Sequence, residues 1–389
     1  MGTNRRSLSL MLAAAALVWG TAADAAGVKV APYGVTKDGQ AVNAYTLVND
    51  KGASATILDY GGAIAEIRVP DRQGLLGNVV MSFADLAAWE TVGHANANVG
   101  RYANRIRKGF TLDGVQYPLQ QNAQGVTLHG GQPPYTTRVW KAEPIRESMG
   151  AMLTLTLDSP DGDQGFPGNL KIRATYRFTN DNALRLGFEA VSDKPTVVNL
   201  TNHLYFNLNG DSTTPVYDHD LQVMADRVQA KDADNLPTGE LLAVTGTPFD
   251  LTKPTVLSTR VAAAHDTSPP PQGGQPPPTP DGMVRSYDHA FAIMPGYNRL
   301  DRVAARLHDP ASGRVLELST SQTSIQVFTP GARNGVMSEV GKPFARGPAV
   351  ALETQHLPDS PNHADFPSTV LRPGQTYRQT TVFAFRTDR

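Results

Sequence analysis

Apolar and polar residues trade places with period two along much of this chain. Met152-Leu153-Thr154-Leu155-Thr156-Leu157 does so, and so do residues 172–178 and 184–189. Residues two apart on an extended backbone share a face, so each run predicts a strand with one buried side. Residues 55–60 and 63–69 predict two more strands, followed by a turn at Pro70-Asp71-Arg72-Gln73-Gly74. Residues 315–319 and 381–385 predict another two near the end. Helical periodicity is almost missing; residues 84–91 predict one short helix. Many strands punctuated by Gly, Pro, Asp and Asn predict an all-β protein, a sandwich of large antiparallel sheets. No repeat of solenoid or propeller type and no break in composition divides the chain, so residues 26–389 read as a single domain.

Two segments stand apart from this pattern. Residues 268–282 read SPPPQGGQPPPTPDG. Proline has no amide hydrogen for a ladder, and the segment has nothing apolar to bury, so it predicts an exposed insertion between strands. A proline-rich ligand for a partner domain is the alternative. The first 25 residues have Arg5 and Arg6, an apolar run from Leu8 to Val18, and Ala23-Asp24-Ala25. That is the layout of a cleaved signal peptide, and the run is shorter than the roughly 20 residues of a membrane span. The expected location is the periplasm or the exterior, with no membrane attachment after cleavage.

Composition narrows the chemistry. Cysteine is absent, which removes disulfides, thiolate catalysis and lipidation at a cysteine. Without Arg5, Arg6 and Asp24, the 35 basic and 36 acidic residues become 33 and 35, a net charge of −2. A near-neutral chain without a basic cluster argues against nucleic acid as partner and suits a neutral small molecule. Monomer and homodimer are both compatible with it.

The candidate chemistry lies in Leu128-His129-Gly130-Gly131, in the segment from Asn199 to Leu208 around His203, and in Leu352-Glu353-Thr354-Gln355. Imidazoles and a carboxylate in uncharged, strand-like surroundings suggest an acid and a base flanking a neutral substrate. Each residue also has a plainer reading. Glu353 could pair with Arg105 or Arg346, His203 could be a hydrogen-bonded core histidine, and His129 could be a turn residue. The histidines lack His-x-x-x-His spacing and an acidic cluster, so no metal is expected. Gly130-Gly131 is too short to cradle a phosphate.

Taken together, these motifs resemble the aldose 1-epimerase (galactose mutarotase) family. Gly100-Arg101-Tyr102-Ala103-Asn104-Arg105-Ile106 carries the likeness, with the His129 and His203 segments and residues 161–168. Pro248-Phe249-Asp250-Leu251, Tyr287-Asp288-His289-Ala290-Phe291 and the Glu353 segment followed by Pro358-Asp359 complete it, all in family order. The resemblance implies a β-supersandwich, no cofactor, and interconversion of the α and β anomers of free hexoses such as galactose and glucose. It implies Glu353 as catalytic base and His203 as catalytic acid, held on opposite sides of the anomeric centre. Asn104, Arg105, His129, Asp288 and Gln326 become substrate-binding residues, with His289 behind Asp288 and Arg101 structural. Phe166 or Phe206 could offer an apolar face, although Phe206 reads better as core. Alternatives on the same fold are a hexose-6-phosphate 1-epimerase, which needs extra arginines at the phosphate, and a non-catalytic sugar-binding protein. Phe166, Leu204 and Phe328-Thr329-Pro330 depart from the family pattern, which bears on the preferred hexose.

The leader generates a first prediction. N-terminal sequencing of the exported protein should find Ala26 as the first residue. A cytoplasmic protein keeping its initiator end would reject both cleavage and export.

Overall fold

The alternating runs become strands of the expected kind. Leu170–Phe178 buries Leu170, Ile172, Ala174, Tyr176 and Phe178 and turns Lys171 and Arg173 to solvent. It pairs antiparallel with Gly150–Ser159 on one side and Ala183–Ser192 on the other. The computed structural model describes residues 27–388, except 124, 148–149, 233–235, 263–282 and 332–334. The expected leader at 1–25 and the proline-rich segment at 268–282 lie outside the described residues.

Among the described residues, three large sheets, with four two-stranded ones beside them, build the molecule. The largest has nine strands and runs from Lys141–Glu147 through Tyr377–Thr387 at its middle to Thr255–Val256. A six-stranded sheet is ordered Tyr205–Phe206, Val350–Gln355, Ser324–Phe328, Asp288–Ile293, Ala225–Lys231, Pro237–Ala243. The third, of five strands, meanders from Val28–Val35 to Leu76–Asn78. One core joins all three: Leu47, Ile57 and Ile67 meet Leu155, Ile172 and Leu186, and also Phe291, Ile325 and Leu352. This is the expected packing of antiparallel sheets face to face. The short helix is Leu86–Val92, slightly later than the periodicity predicts. Asp85 caps it by accepting from the Ala88 amide at 2.9 Å, and Gly93, at φ 79°, closes it.

The six-stranded sheet breaks the one-sided rule. Every residue of Val350–Gln355 is buried. Val350 and Leu352 enter the main core, while Ala351 faces a second cluster with Phe83, Trp89 and Tyr205. Glu353 follows Ala351 on that second face. The cover over it comes from the segments around residues 94–104 and 199–207. His203 donates its amide to Ala97 O at 2.9 Å, Asn96 donates to His203 O at 2.9 Å, and Met81 donates to Tyr205 O at 3.0 Å.

Arg101 holds this cover in place. It is fully buried, and its guanidinium donates to Pro167 O at 2.7 Å, Ser159 Oγ at 2.8 Å and Thr196 Oγ1 at 3.3 Å. Arg101→Met should cost roughly 3 kcal/mol or more in urea unfolding, because buried acceptors left without a donor cost about 1–3 kcal/mol each. A loss below about 1 kcal/mol would show that these contacts contribute little.

Candidate active site

Register places the site on the second face of the six-stranded sheet. Glu353 lies opposite Gln326, and Gln326 lies opposite Ala290. Ile325, Val327, Leu352 and Phe291 point into the core, so Gln326, Phe328 and Glu353 point the other way. Alanine at 290 keeps the middle of that face low. The strand-loop-strand path around residue 203 then brings an imidazole over the carboxylate: His203 Nε2 is 3.4 Å from Glu353 Oε1, with both side chains almost fully buried. Tyr205 stacks on His203 at 4.7 Å between ring centroids and 18° between planes, and Phe328 meets its edge at 6.1 Å. These rings fix the imidazole's orientation.

Three histidines converge here. The ring centroids of His94, His129 and His203 are 5.0 to 5.9 Å apart. Among the described residues, no group of three or more His, Cys, Asp or Glu is placed to hold a metal ion. His129 is at φ 52° and Asn104 at φ 61°, both in the left-handed region that non-glycine residues rarely occupy. They hold each other there: His129 N donates to Asn104 O at 2.9 Å, and Asn104 N donates to His129 Nδ1 at 3.2 Å. With Nδ1 accepting, the neutral ring carries its proton on Nε2. Burial, then the neighbouring His94 and Arg105, push the His129 imidazole down to about 3, so it stays neutral. Gly130 makes this turn possible, since a Cβ there would stand 2.2 Å from Gly100 O.

The charged half of the site centres on Asp288. Its Oδ2 accepts from Arg105 Nη2 at 3.1 Å and lies 3.2 Å from Lys231 Nζ. Its Oδ1 accepts from Gln326 Nε2 at 2.6 Å. Arg105 also donates to Asn104 Oδ1 at 3.1 Å, which orients that amide. His289 Nδ1 accepts from the Asp288 amide at 3.1 Å, its ring lies 4.6 Å from that of Phe249, and burial lowers it to about 3. Glu353 is in a different setting. Burial, with Asp288 adding to it and Arg105 opposing, raises its carboxyl well above 4.5. Its Oε2 is buried without a partner among the described residues, as is Gln326 Oε1. The pocket therefore offers a strong buried base, an imidazole beside it, and a rim of fixed donors and acceptors for a polar, neutral molecule.

All seven residues singled out by sequence meet here: Asn104, Arg105, His129, His203, Asp288, Gln326 and Glu353. Arg105 gives its ion pair to Asp288 and not to Glu353. His203 and Glu353 come from segments stacked on one face, which puts the imidazole and the carboxylate in direct contact. Phe206 packs against Phe383 and Phe385 in the main core. Phe166 is wholly buried with Tyr102, Ile106 and Phe110, so neither offers a face to a ligand. Leu204 is core as well. Sequence reasoning passed over His94 and Lys231 as parts of the site, and met Phe328 only as a departure from the family pattern. Lys231 had a signal, a cation inside the run Val228-Gln229-Ala230-Lys231.

Known proteins resemble this chain along most of its length. The family model for aldose 1-epimerase matches residues 43–384. Galactose mutarotase from Rattus norvegicus is 35% identical over 350 residues, covering 89% of this chain and 95% of that one. Aldose 1-epimerase from Escherichia coli (strain K12) is 33% identical over 353 residues, covering 90% and 96%. Among solved structures, galactose 1-epimerase from Lactobacillus acidophilus NCFM superposes with a TM-score of 0.77 at 26% identity, covering 93% of this chain and 99% of that one.

The raised Glu353 carboxyl links the site to stability. A buried acid whose value is raised on folding stabilises fully below the unfolded value, near 4.5, and loses that contribution as pH rises through the folded value. Glu353→Gln keeps the shape without the charge. Its Tm should exceed the parent's at pH 8, and the gap should shrink toward pH 5. Equal Tm values at pH 8 would mean that the buried carboxylate carries no desolvation cost.

Proposed function

The chain belongs to the aldose 1-epimerase family, and we propose that it performs that family's reaction through Glu353 and His203. The reaction interconverts the α and β anomers of free hexoses such as galactose and glucose, which makes the protein an isomerase. The observation that supports the assignment is the 3.4 Å contact between a buried imidazole and a buried carboxylate on the face where the sugar-binding groups converge.

Mutarotation moves two protons at one carbon. Glu353, ionised, takes the proton of the C1 hydroxyl. His203, protonated, gives one to the ring oxygen. The C1–O5 bond breaks as the C1 carbonyl forms, and the aldehyde turns about C1–C2. Reclosure then runs the transfers backward: His203 recovers its proton from the O5 hydroxyl, and Glu353 returns one to O1. Both oxygens are bonded to C1, so an acid and a base standing side by side can reach them together. Burial of Glu353 makes it a stronger base than a solvated carboxylate. His129, neutral with Nε2–H, donates to the ring oxygen or a neighbouring hydroxyl. Asn104, Arg105, Asp288 and Gln326 bind the remaining hydroxyls and hold the ring while C1 turns. We also assign the protein to the periplasm or the exterior, on the strength of the leader in its sequence.

Glu353→Gln and His203→Asn should each lower kcat by at least about 10²-fold, the usual scale for a placed acid or base. The double variant should be little worse than the worse single, since the pair acts as one unit. Polarimetry of freshly dissolved α-galactose and α-glucose reads turnover, and calorimetry reads binding, which should weaken far less. The parent's kcat/KM should be bell-shaped, with its acid limb above the ordinary carboxylate range. Near-parental kcat in either single variant would remove that residue from its role.

A further inference from the structure

Lys231 sits where a lysine is costly. Its side chain is 11% exposed, against 15% for Asp288 and 16% for Arg105. A buried ammonium needs a specific reason, because desolvation disfavours the charge. Neutralising Asp288 is not reason enough, since Arg105 already contacts the same oxygen at 3.1 Å. What Lys231 does in addition is reach the backbone. Its ammonium donates to the main-chain carbonyl of Asp288 as well as facing Oδ2.

The ladder shows what that contact replaces. Ala225–Lys231 pairs with Asp288–Ile293 at Ala225–Ile293, Arg227–Ala292 and Val228–Phe291, and the register ends there. Asp288 lies three residues beyond the last of these pairs, at the first position of its strand. On its other side it is paired with Phe328. Past Val228–Phe291, the Lys231 side chain supplies the donor that a continued ladder would have supplied. The partner strand also bulges at this point, between Gln229 and Lys231 against Pro237–Ala243. Resting on the reading of the pocket as a sugar site, we propose that Lys231 is a positioning residue: it pins the Asp288 carbonyl and carboxylate together. That fixes the acceptor which Asp288 presents to the hydroxyls of the hexose.

The groups around the ammonium set its pH behaviour. Asp288 and Arg105 face it, with neutral His289 beside Asp288 and uncharged Pro237 at the paired position on the outer strand. Glu353 lies farther off, across Gln326. Burial lowers the Lys231 amine, with Asp288 opposing and Arg105 adding, to about 8. Below that pH the amine is charged and holds Asp288; above it the hold is lost.

The test is a split between KM and kcat, read by polarimetry on α-galactose and α-glucose. Lys231→Met should raise KM about tenfold, the scale for losing a charged hydrogen bond, with kcat within about threefold of the parent. In the parent, KM should rise as pH passes about 8, while Lys231→Met should lack that rise. Parental KM in a folded Lys231→Met, or a parent KM that stays flat from pH 7 to 9, overturns the proposal. If Lys231→Met does not fold, the parent's own KM profile decides. A parent without turnover would instead overturn the reading of the site as a mutarotase, so the two failures are distinguishable.

Discussion

The whole site depends on burying one carboxylate. Val350–Gln355 is covered on both faces, by the main core beneath Leu352 and by the residue 94–104 and 199–207 segments above Glu353. That double cover is what raises the Glu353 carboxyl. An edge strand, or a sheet with one wet face, would leave the same residue solvated and weakly basic. The large sandwich is therefore more than a scaffold: it has the thickness needed to enclose a strand on both sides.

The cover must be stiff, and the structure shows how it is made so. Arg101 ties the segment carrying Asn104 to Pro167, Ser159 and Thr196 through a fully buried guanidinium. Asn104 and His129, both in left-handed conformations, then hold each other through two hydrogen bonds. The same bonds settle which nitrogen of His129 carries the proton. Backbone geometry and proton placement are thus one problem here, solved by one pair of contacts.

Charge is divided cleanly across the pocket. Two cations and an amide surround Asp288, whereas Glu353 has an imidazole at 3.4 Å and an Oε2 buried without a partner among the described residues. Two carboxylates in one site acquire different properties because their surroundings differ: Asp288 is saturated with donors, and Glu353 is desolvated and more basic. The two surroundings are linked, since Asp288 adds to the raising of the Glu353 carboxyl and Arg105 opposes it.

Much of this was legible in the sequence. Period-two alternation marked strands such as Leu170–Phe178, because one-sided burial leaves a direct imprint on residue order. The ordered motifs named the family and the seven residues that meet in the pocket. Glu353 and His203 could each be read two ways, however, as catalytic groups or as an ion pair and a core histidine. Only the register of Gln326 against Glu353, and the stacking of residue 203 above them, brought the imidazole beside the carboxylate. Phe166 looked like a possible sugar platform and is core, since an aromatic in a loop carries no mark of what it packs on. Lys231 carried only the faint signal of a cation in a strand-like run, because its place in the site follows from where a ladder stops. Local order in a chain records which face each residue shows; which faces meet is decided by contacts between residues far apart in sequence, and those exist only in the folded protein.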